Sequence, residues 1–265
     1  MRVVTAGDNC VDFYVKSDER FPGGNPVNVA VYCKRYFEDV GYVGFVGDDW
    51  NGNLIVNSLM KKGVDTSMVQ VVSKGRTAIT KVKLQNQDRI FCGYDPGVHR
   101  QFTISEDALT FIASSDMFIS GFWGNAHPYL GEMKRRNEKL LIGFDFATKL
   151  EDPLYTEIAP FVDCAFFSWD DPQKQETIEL FMQEKQSLGA RLVVVTLGKK
   201  GSIVFDGRKF FTYGIIPCKV IDTMGAGDSY IAGFMSAQLM GYSIEESMRM
   251  GTESSTITIQ YKGAW

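Results

Sequence analysis

The sequence has few of the residues that usually build metal clusters. It contains two histidines and five cysteines in 265 residues, and the cysteines are widely scattered with no Cys-x-x-Cys pair. Scattered thiols of this kind are expected to be reduced, as in a cytoplasmic protein. A metal cluster held by cysteine or histidine is therefore not expected.

Three well-known motifs are missing. The sequence has no Gly-x-x-x-x-Gly-Lys-Ser/Thr, which excludes nucleotide binding through a P-loop. It has no Gly-x-Gly-x-x-Gly after the first predicted strand, which argues against a classical dinucleotide fold. It also has no Gly-x-Ser-x-Gly nucleophile elbow.

Long apolar runs and an excess of positive charge are missing too. The hydrophobic content of 45%, the charged content of 23% and the net charge of -4 are typical of a globular protein with neither nucleic acid nor membrane as partner. No apolar run approaches the length of a membrane span. The first five residues predict a strand rather than a signal peptide, so we expect a cytoplasmic protein.

Helical patterns alternate with short apolar runs through most of the chain. This alternation predicts an α/β fold with a parallel sheet that is covered on both faces. The predicted strands are 3–7, 41–46, 117–120, 140–144, 164–168 and 192–196, and the predicted helices are 27–37, 51–62, 105–113, 128–137, 172–188 and a closing pair within 243–260.

A smaller β-element is expected beside the main sheet. Residues 77–84 and 89–94 predict a hairpin, and residues 13–15 predict a further strand. Because a hairpin alone is marginally stable in water, it should cover a substrate pocket or a partner subunit. We expect one domain over 1–265, with lid strands at about 11–20 and 76–95.

Residues 222–229 carry the strongest local signal for a binding site. Gly225 and Gly227 allow a sharp turn, and the helical pattern behind them places unpaired N–H groups at one point, as in sites for phosphate oxygens. A carboxylate at Asp228 would repel a phosphate unless it has another task, such as activating a hydroxyl. The competing interpretation is that Asp228 simply caps the helix.

A second glycine-rich stretch lies far upstream, at residues 21–30. Here Gly23 and Gly24 precede Asn25, which is predicted to be the N-cap of a helix, and Pro26 suits its first turn. Asn28 falls in that turn and can offer an amide to a polyhydroxylated ligand. Capping alone does not explain the glycine pair together with Asn28.

Together these two stretches resemble the N-terminal and C-terminal signatures of the ribokinase-like (phosphofructokinase B-type) carbohydrate kinases, and the resemblance extends over nearly the whole chain. It implies a three-layer α/β sandwich with a mostly parallel central sheet and a small β-sheet lid. It also implies transfer of the γ-phosphoryl group of ATP to a sugar hydroxyl, with Mg²⁺. Asp228 would be the base, and the N–H groups of Gly225, Ala226 and Gly227 would form the anion hole.

The resemblance implies further site residues. Asp12, Gly24 and Asn28 match substrate-binding positions, and Thr196, Gly198 and Gly201 match the nucleotide side. Many relatives have Asn-x-x-Glu near the metal where this chain has residues 168–171, so Asp171 is the candidate metal residue, with a plain helix-start acid as the alternative. Asp145, which follows a predicted strand, is a candidate ligand contact. Since lids in this family often pair, a homodimer through the lid is expected.

Residues 7–12, 29–33 and 259–265 look most like those of bacterial fructoselysine 6-kinases. That likeness implies phosphorylation of the 6-hydroxyl of fructoselysine or a related fructosamine. The cationic amine of such a substrate would suit acidic groups, for which the candidates are Asp8, Asp12, Asp48 and Asp95. The alternatives are a kinase for fructose, ribose or a nucleoside, and a non-catalytic protein that binds sugar or nucleotide.

Overall fold

A computed structural model describes residues 1–85, 88–169 and 174–265 of the chain. Its largest element is a nine-stranded sheet, in which the strand order is β13-β12-β11-β10-β9-β8-β1-β4-β5. The strands are β1 (Arg2–Ala6), β4 (Asp39–Gly47), β5 (Asp65–Val72), β8 (Met117–Gly121), β9 (Leu141–Asp145), β10 (Cys164–Ser168), β11 (Leu192–Thr196), β12 (Ser202–Phe205) and β13 (Phe210–Tyr213). Within the described part of this nine-stranded sheet, only the pairs β11–β12 and β12–β13 are antiparallel, so the sheet is mostly parallel.

Eight α-helices of the described residues cover both faces of this sheet. They are α1 (Asn25–Cys33), α2 (Trp50–Lys61), α3 (Glu106–Ala113), α4 (Leu130–Arg136), α5 (Leu154–Ile158), α6 (Gln175–Ser187), α7 (Ala226–Leu239) and α8 (Ile244–Thr258). The closing helix pair predicted within 243–260 is wrong, because a single helix, α8, runs through this region. Ser243 and Glu246 form a capping box at its start, and Gly251 inside it packs against the Tyr230 ring of α7.

Alternating side chains of the buried strands form two hydrophobic cores. In β10, Phe166 faces the core shared with α1, α2, α7 and α8, while Ala165 and Phe167 face the core shared with α3 to α6. The same alternation separates Val194 from Val193 in β11. Each fully buried aliphatic or aromatic side chain contributes about 1.5–3 kcal/mol. The three layers follow from strands that are apolar on both faces.

A separate four-stranded sheet has the order β3-β2-β6-β7, with β2 (Cys10–Tyr14), β3 (Glu19–Gly23), β6 (Ile79–Gln85) and β7 (Asp88–Asp95). The hairpin predicted from the sequence is confirmed as the antiparallel pair β6–β7. β2 joins it through parallel pairing with β6. Because β2 follows β1 almost directly, this sheet lies next to the carboxyl end of the central strand β1.

Candidate active site

The N-terminus of α1 brings two asparagines to the carboxyl end of β1. Gly24 precedes the helix with φ +111°, and a Cβ atom there would lie 2.7 Å from the Asn9 Cα and the Asp8 carbonyl oxygen. Only glycine fits such a close approach at this φ. The tight turn lets the helix begin directly at Asn25, and Asn28 follows on the same face because residues three apart are neighbours on a helix.

Asn25 is not the helix cap that the sequence predicts. The N-cap is Gly24, which has no side chain to form a capping hydrogen bond. The Asn25 amide nitrogen instead donates to Asp145 Oδ2 and to Asp228 Oδ1, at 2.8 Å in each case. The glycine before it occupies the cap position and frees the asparagine side chain for this bridge. Asn25 is therefore a residue of the site that capping rules misassign.

The glycine turn before α7 has the shape that the sequence predicts. Gly225 is the N-cap with φ +74°, and a Cβ atom at this position would lie 2.2 Å from the Tyr32 hydroxyl oxygen. By contrast, a Cβ atom at Gly227 would meet nothing within 4 Å. The Ala226 N–H donates to the Thr223 carbonyl oxygen at 3.2 Å, so an anion would have to compete with this bond. The open side of the turn lies at Gly227.

Asp228 lies in the first turn of α7 but does not cap it. Its Oδ1 accepts from Asn25 at 2.8 Å and its Oδ2 accepts from Asn28 at 2.7 Å. Burial raises the pKa of Asp228 to about 7; the bond from Asn28 opposes this shift, and the neighbouring charge of Asp145 adds to it. The capping interpretation thus fails, and Asp228 is a carboxylate held by two amides with a pKa near neutrality.

Asp145 ends β9 beside Asp228. Its Oδ1 accepts from the Ala147 N–H at 2.8 Å, while its Oδ2 accepts from Asn25. Burial raises the pKa of Asp145 to about 6, although the Ala147 N–H opposes the shift. One amide thus joins two carboxylates, one at the end of β9 and one in the first turn of α7.

The other candidate acids divide into two groups. Asp12 is 5% exposed on β2, and a Cβ atom at Gly23 would lie 2.6 Å from its carboxylate. Asp8 is partly buried after β1, where it accepts from the Asn25 N–H at 3.4 Å; burial raises its pKa, and nearby His99 opposes the shift. Asp48 and Asp95, on the other hand, are exposed. Of these four acids, Asp8 is the one with a hydrogen bond to Asn25, and its charge also acts on Asp228.

Thr196, Gly198 and Gly201 lie at the carboxyl end of β11. The Thr196 hydroxyl lies 3.1 Å from the Ser168 hydroxyl, at the end of the adjacent strand β10. Since β9 comes next in the sheet, this turn lies about 10 Å from Asp145 by ordinary strand spacing. Gly198 has φ +53° and open space where a Cβ would lie, whereas a Cβ at Gly201 would lie 2.0 Å from the Tyr213 carbonyl oxygen.

The described residues do not include Asp171, so the predicted metal position lies outside them. Among residues 1–85, 88–169 and 174–265, no group of three or more acidic, histidine or cysteine side chains is arranged to hold a metal ion. A magnesium ion would therefore not find a cage made of side chains in this part of the chain.

Comparison with known proteins identifies the family. The model of the pfkB family of carbohydrate kinases matches residues 2–265. The chain belongs to the pfkB family. It is 41% identical over 263 residues to a fructoselysine 6-kinase of Escherichia coli, covering 99% of both chains. It is also 31% identical over 269 residues to a fructosamine kinase of Bacillus subtilis, covering all of this chain and 93% of that one.

Solved structures agree on the fold. A structure of Arabidopsis thaliana ribokinase complexed with ribose and ATP superimposes with a TM-score of 0.89 at 24% identity, covering 99% of this chain and 93% of that one. A ribokinase from Thermotoga maritima gives a TM-score of 0.82 at 20% identity over the whole of this chain and 94% of that one. The ribokinase-like α/β fold expected from the sequence is therefore confirmed, and as a member of the pfkB family the chain is a sugar kinase.

Sequence reasoning missed one residue of this kinase site altogether. Trp265 donates its indole N–H to Asn28 Oδ1 at 2.8 Å, across 237 positions of the chain. No spacing rule connects residues so distant. The only local sign was its place in the segment 259–265, which resembles that of fructoselysine 6-kinases.

Proposed function

We propose that this kinase transfers the γ-phosphoryl group of ATP to the 6-hydroxyl of fructoselysine or a related fructosamine, with Asp228 as the base. The observation that carries the proposal is the setting of Asp228. It is held by two amides at the start of a helix, with a pKa of about 7. General bases work best when their pKa lies near the working pH. A carboxylate with the usual acidic pKa would be a weaker base.

The residues around Asp228 orient its carboxylate, and the start of α7 stabilises the charge of the transferred phosphoryl group. Asn25 and Asn28 fix both oxygens of Asp228, so the carboxylate needs no reorganisation when a hydroxyl approaches. The hydroxyl proton passes to Asp228 as the sugar oxygen attacks the γ-phosphorus of ATP. The bond between that phosphorus and the β-phosphate oxygen breaks, and ADP leaves. The dipole of α7 favours the negative charge of the transferred group, and the space beside Gly227 leaves room for it.

The charge of the sugar side supports a cationic substrate. Asp8 and Asp145 both accept hydrogen bonds from Asn25, Asp8 from its backbone N–H and Asp145 from its side-chain amide. A fructosamine carries an amine that is protonated near neutral pH, whereas fructose and ribose are uncharged. The likeness to kinases of fructoselysine and fructosamine supports the same class.

ATP would bind on the β11 side, where Thr196, Gly198 and Gly201 lie. ATP supplies the phosphoryl group, and the turn offers open space beside Gly198. Since magnesium usually keeps several waters and binds through substrate phosphates, we propose that it arrives with the nucleotide. Asp171 stays the candidate residue for orienting its waters.

We further propose that the four-stranded sheet is a lid that closes on the sugar and pairs two copies of the chain. β2, which carries the proposed substrate-binding residue Asp12, follows closely after the end of β1. β3 and β7 are its edges, and Val15 and Tyr94 are large exposed side chains beside it. Unpaired edges favour association with a second sheet. Sedimentation equilibrium should therefore give twice the chain mass, and a strictly monomeric protein would contradict this part of the proposal.

A substrate panel tests the function. The protein is incubated with ATP and, separately, fructoselysine, fructose, ribose and a nucleoside, and the position of the product phosphate is determined by NMR. We expect fructoselysine to give the highest kcat/KM, with phosphate on the 6-hydroxyl. Preference for an uncharged sugar would refute the substrate assignment. No product with any acceptor would favour the alternative of a non-catalytic binding protein.

A further inference from the structure

The segment after α8 carries a tryptophan into the site. The indole N–H of Trp265 donates to Asn28 Oδ1 at 2.8 Å, and Asn28 Nδ2 donates to Asp228 Oδ2 at 2.7 Å. Asn28 is 4% exposed, so the amide is screened from water that could replace either partner. Three side chains from three elements thus form one hydrogen-bonded chain that ends on the proposed base.

The chemistry of the two outer groups allows only one orientation of the amide between them. An indole N–H can only donate, and an ionised carboxylate can only accept. If the Asn28 amide rotated by half a turn, its oxygen would face Asp228 and its NH₂ group would face the indole N–H. Both hydrogen bonds would then be lost together.

The backbone around Trp265 is fastened to the rest of the site. The Ala264 carbonyl oxygen accepts from the Tyr32 hydroxyl, and from the Tyr261 hydroxyl at 3.1 Å. The Gly263 N–H donates to Asp222 Oδ2 at 2.9 Å, just before the glycine turn of α7. The segment therefore contacts both α1 and the turn that precedes Asp228.

The Trp265 ring packs against the hydrophobic core on one side and is open on the other. Trp265 is only partly buried and borders a cavity of about 470 Å³ that is also lined by Lys34, Arg35 and Lys62. The Lys62 ammonium lies 5.9 Å from the ring centroid. With open space on this face, the bond to Asn28 is the directional contact that holds the indole in place.

We propose that Trp265 is a positioning residue for Asp228, because it keeps the NH₂ group of Asn28 turned toward the carboxylate through the catalytic cycle. This inference rests on the proposed function of Asp228 as the base. When Asp228 takes the hydroxyl proton it becomes neutral, and its demand for a donor weakens. The indole N–H still donates to Asn28 while Asp228 is neutral. The Asn28 NH₂ group is therefore already oriented toward Asp228 when that carboxylate ionises again.

The first test does not depend on catalysis. The four tryptophans give four indole ¹H–¹⁵N resonances, and Trp265→Phe identifies the one that belongs to Trp265. We expect this resonance to move with pH around a midpoint near 7, the pKa of Asp228, and to stop moving in Asp228→Asn. Asp145→Asn separates the contribution of Asp145, the neighbouring carboxylate, and should shift the midpoint without abolishing it.

The second test uses kinetics with a matched control. Trp265→Phe keeps the ring and removes the N–H, so we expect kcat to fall about three- to tenfold, the usual worth of one hydrogen bond, with the KM for ATP unchanged. Because Asn28 favours the charged form of Asp228, the acid limb of kcat/KM should move to higher pH. Tyr261→Phe loosens the same segment without touching the indole, and it should leave the pH profile in place.

The results of these two tests distinguish the role of Trp265 from the proposed role of Asp228 as the base. An indole resonance that does not respond to pH, or that responds equally in Asp228→Asn, overturns the role of Trp265 even if the protein is an active kinase. Equal pH profiles for Trp265→Phe and wild type do the same. If instead the indole titrates through Asp228 but Asp228→Asn retains full activity, the hydrogen-bonded chain stands and the assignment of the base fails.

Discussion

The proposed sugar end of the site, around Asp228, and its proposed nucleotide end, at the turn after β11, are built in different ways. At the sugar end, Asp228 and Asp145 share the Asn25 amide, and each bond is 2.8 Å long. At the nucleotide end, the Thr196 hydroxyl lies 3.1 Å from the Ser168 hydroxyl and donates to the Phe167 carbonyl oxygen at 3.3 Å, both in β10, and Gly198 faces open space. The sugar end is a network of buried charges and amides, whereas the nucleotide end is shaped mainly by backbone.

This difference matches what each end has to do. A base must be aimed and its pKa adjusted before the substrate arrives, which favours fixed dipoles in a site that excludes water. A nucleotide brings its own charge, and the turn needs mainly N–H groups and room. We therefore expect side-chain changes to act most strongly at the sugar end and backbone changes to act most strongly at the nucleotide end.

The largest expected effect is at Asp228. Asp228→Asn keeps the shape and removes the proton acceptor, so kcat should fall by about 10²–10⁴, the usual range for a general base, while ATP still binds. Steady-state kinetics and calorimetric titration with an ATP analogue measure the two quantities. Loss of ATP binding would mean that Asp228 belongs to the nucleotide end and not to the sugar end.

The next effect is on stability, at two glycines of the nucleotide turn. At Gly201 a Cβ would lie 2.0 Å from a backbone oxygen with φ at +89°, so Gly201→Ala should lower the free energy of unfolding by about 2–4 kcal/mol. The Cβ atom added by Gly198→Ala would meet open space. This substitution should therefore lower the free energy of unfolding by only about 1 kcal/mol, because of the left-handed φ. Urea denaturation measures both, and equal losses would contradict the geometry of the turn.

A smaller effect concerns pH. Asp228 must be ionised to accept a proton, so kcat/KM should rise with pH through about 7. Asp145→Asn keeps a partner for Asn25 but removes the charge that raises the pKa of Asp228, so the rise should move to lower pH. The activity at pH 6 relative to pH 8 should increase about three- to fourfold, in keeping with roughly 1 kcal/mol of repulsion. A pH profile that does not move would separate Asp145 from the base.

The smallest effect is expected at Lys199 and Lys200. Both are exposed at the nucleotide turn, where salt screens their charge. Replacing both with alanine should raise the KM for ATP by less than about threefold, leave kcat unchanged, and matter less in high salt. A large loss of kcat would show that the nucleotide end also depends on charged side chains.

Local patterns in the sequence predict a large part of this molecule. The strands from β8 to β11 are short apolar runs between helices, and such runs can only be satisfied inside a covered sheet. The turn at Gly225 and the acid at Asp228 were also predictable from the local sequence. Glycine indicates a sharp turn, and a carboxylate next to a predicted anion site indicates a separate role. β5 was missed, since it mixes polar and apolar residues and lacks a continuous apolar run.

The contacts that make the site work were not predictable in the same way. Asn25 follows every rule for a helix cap, yet its amide bridges to Asp228 across 203 positions of the chain. Trp265 reaches Asn28 from even farther away. Such pairs depend on how the layers pack, and a single sequence contains no local trace of that packing.

The most direct test is a crystal structure of Asp228→Asn with fructoselysine and an ATP analogue bound. A proton acceptor must lie about 2.6–3.2 Å from the hydroxyl that it activates. We predict that the 6-hydroxyl of the sugar lies within that distance of the residue 228 side chain, between it and the γ-phosphate. If another sugar hydroxyl lies there, or if residue 228 contacts only the nucleotide, then Asp228 is not the base for phosphorylation of the 6-hydroxyl.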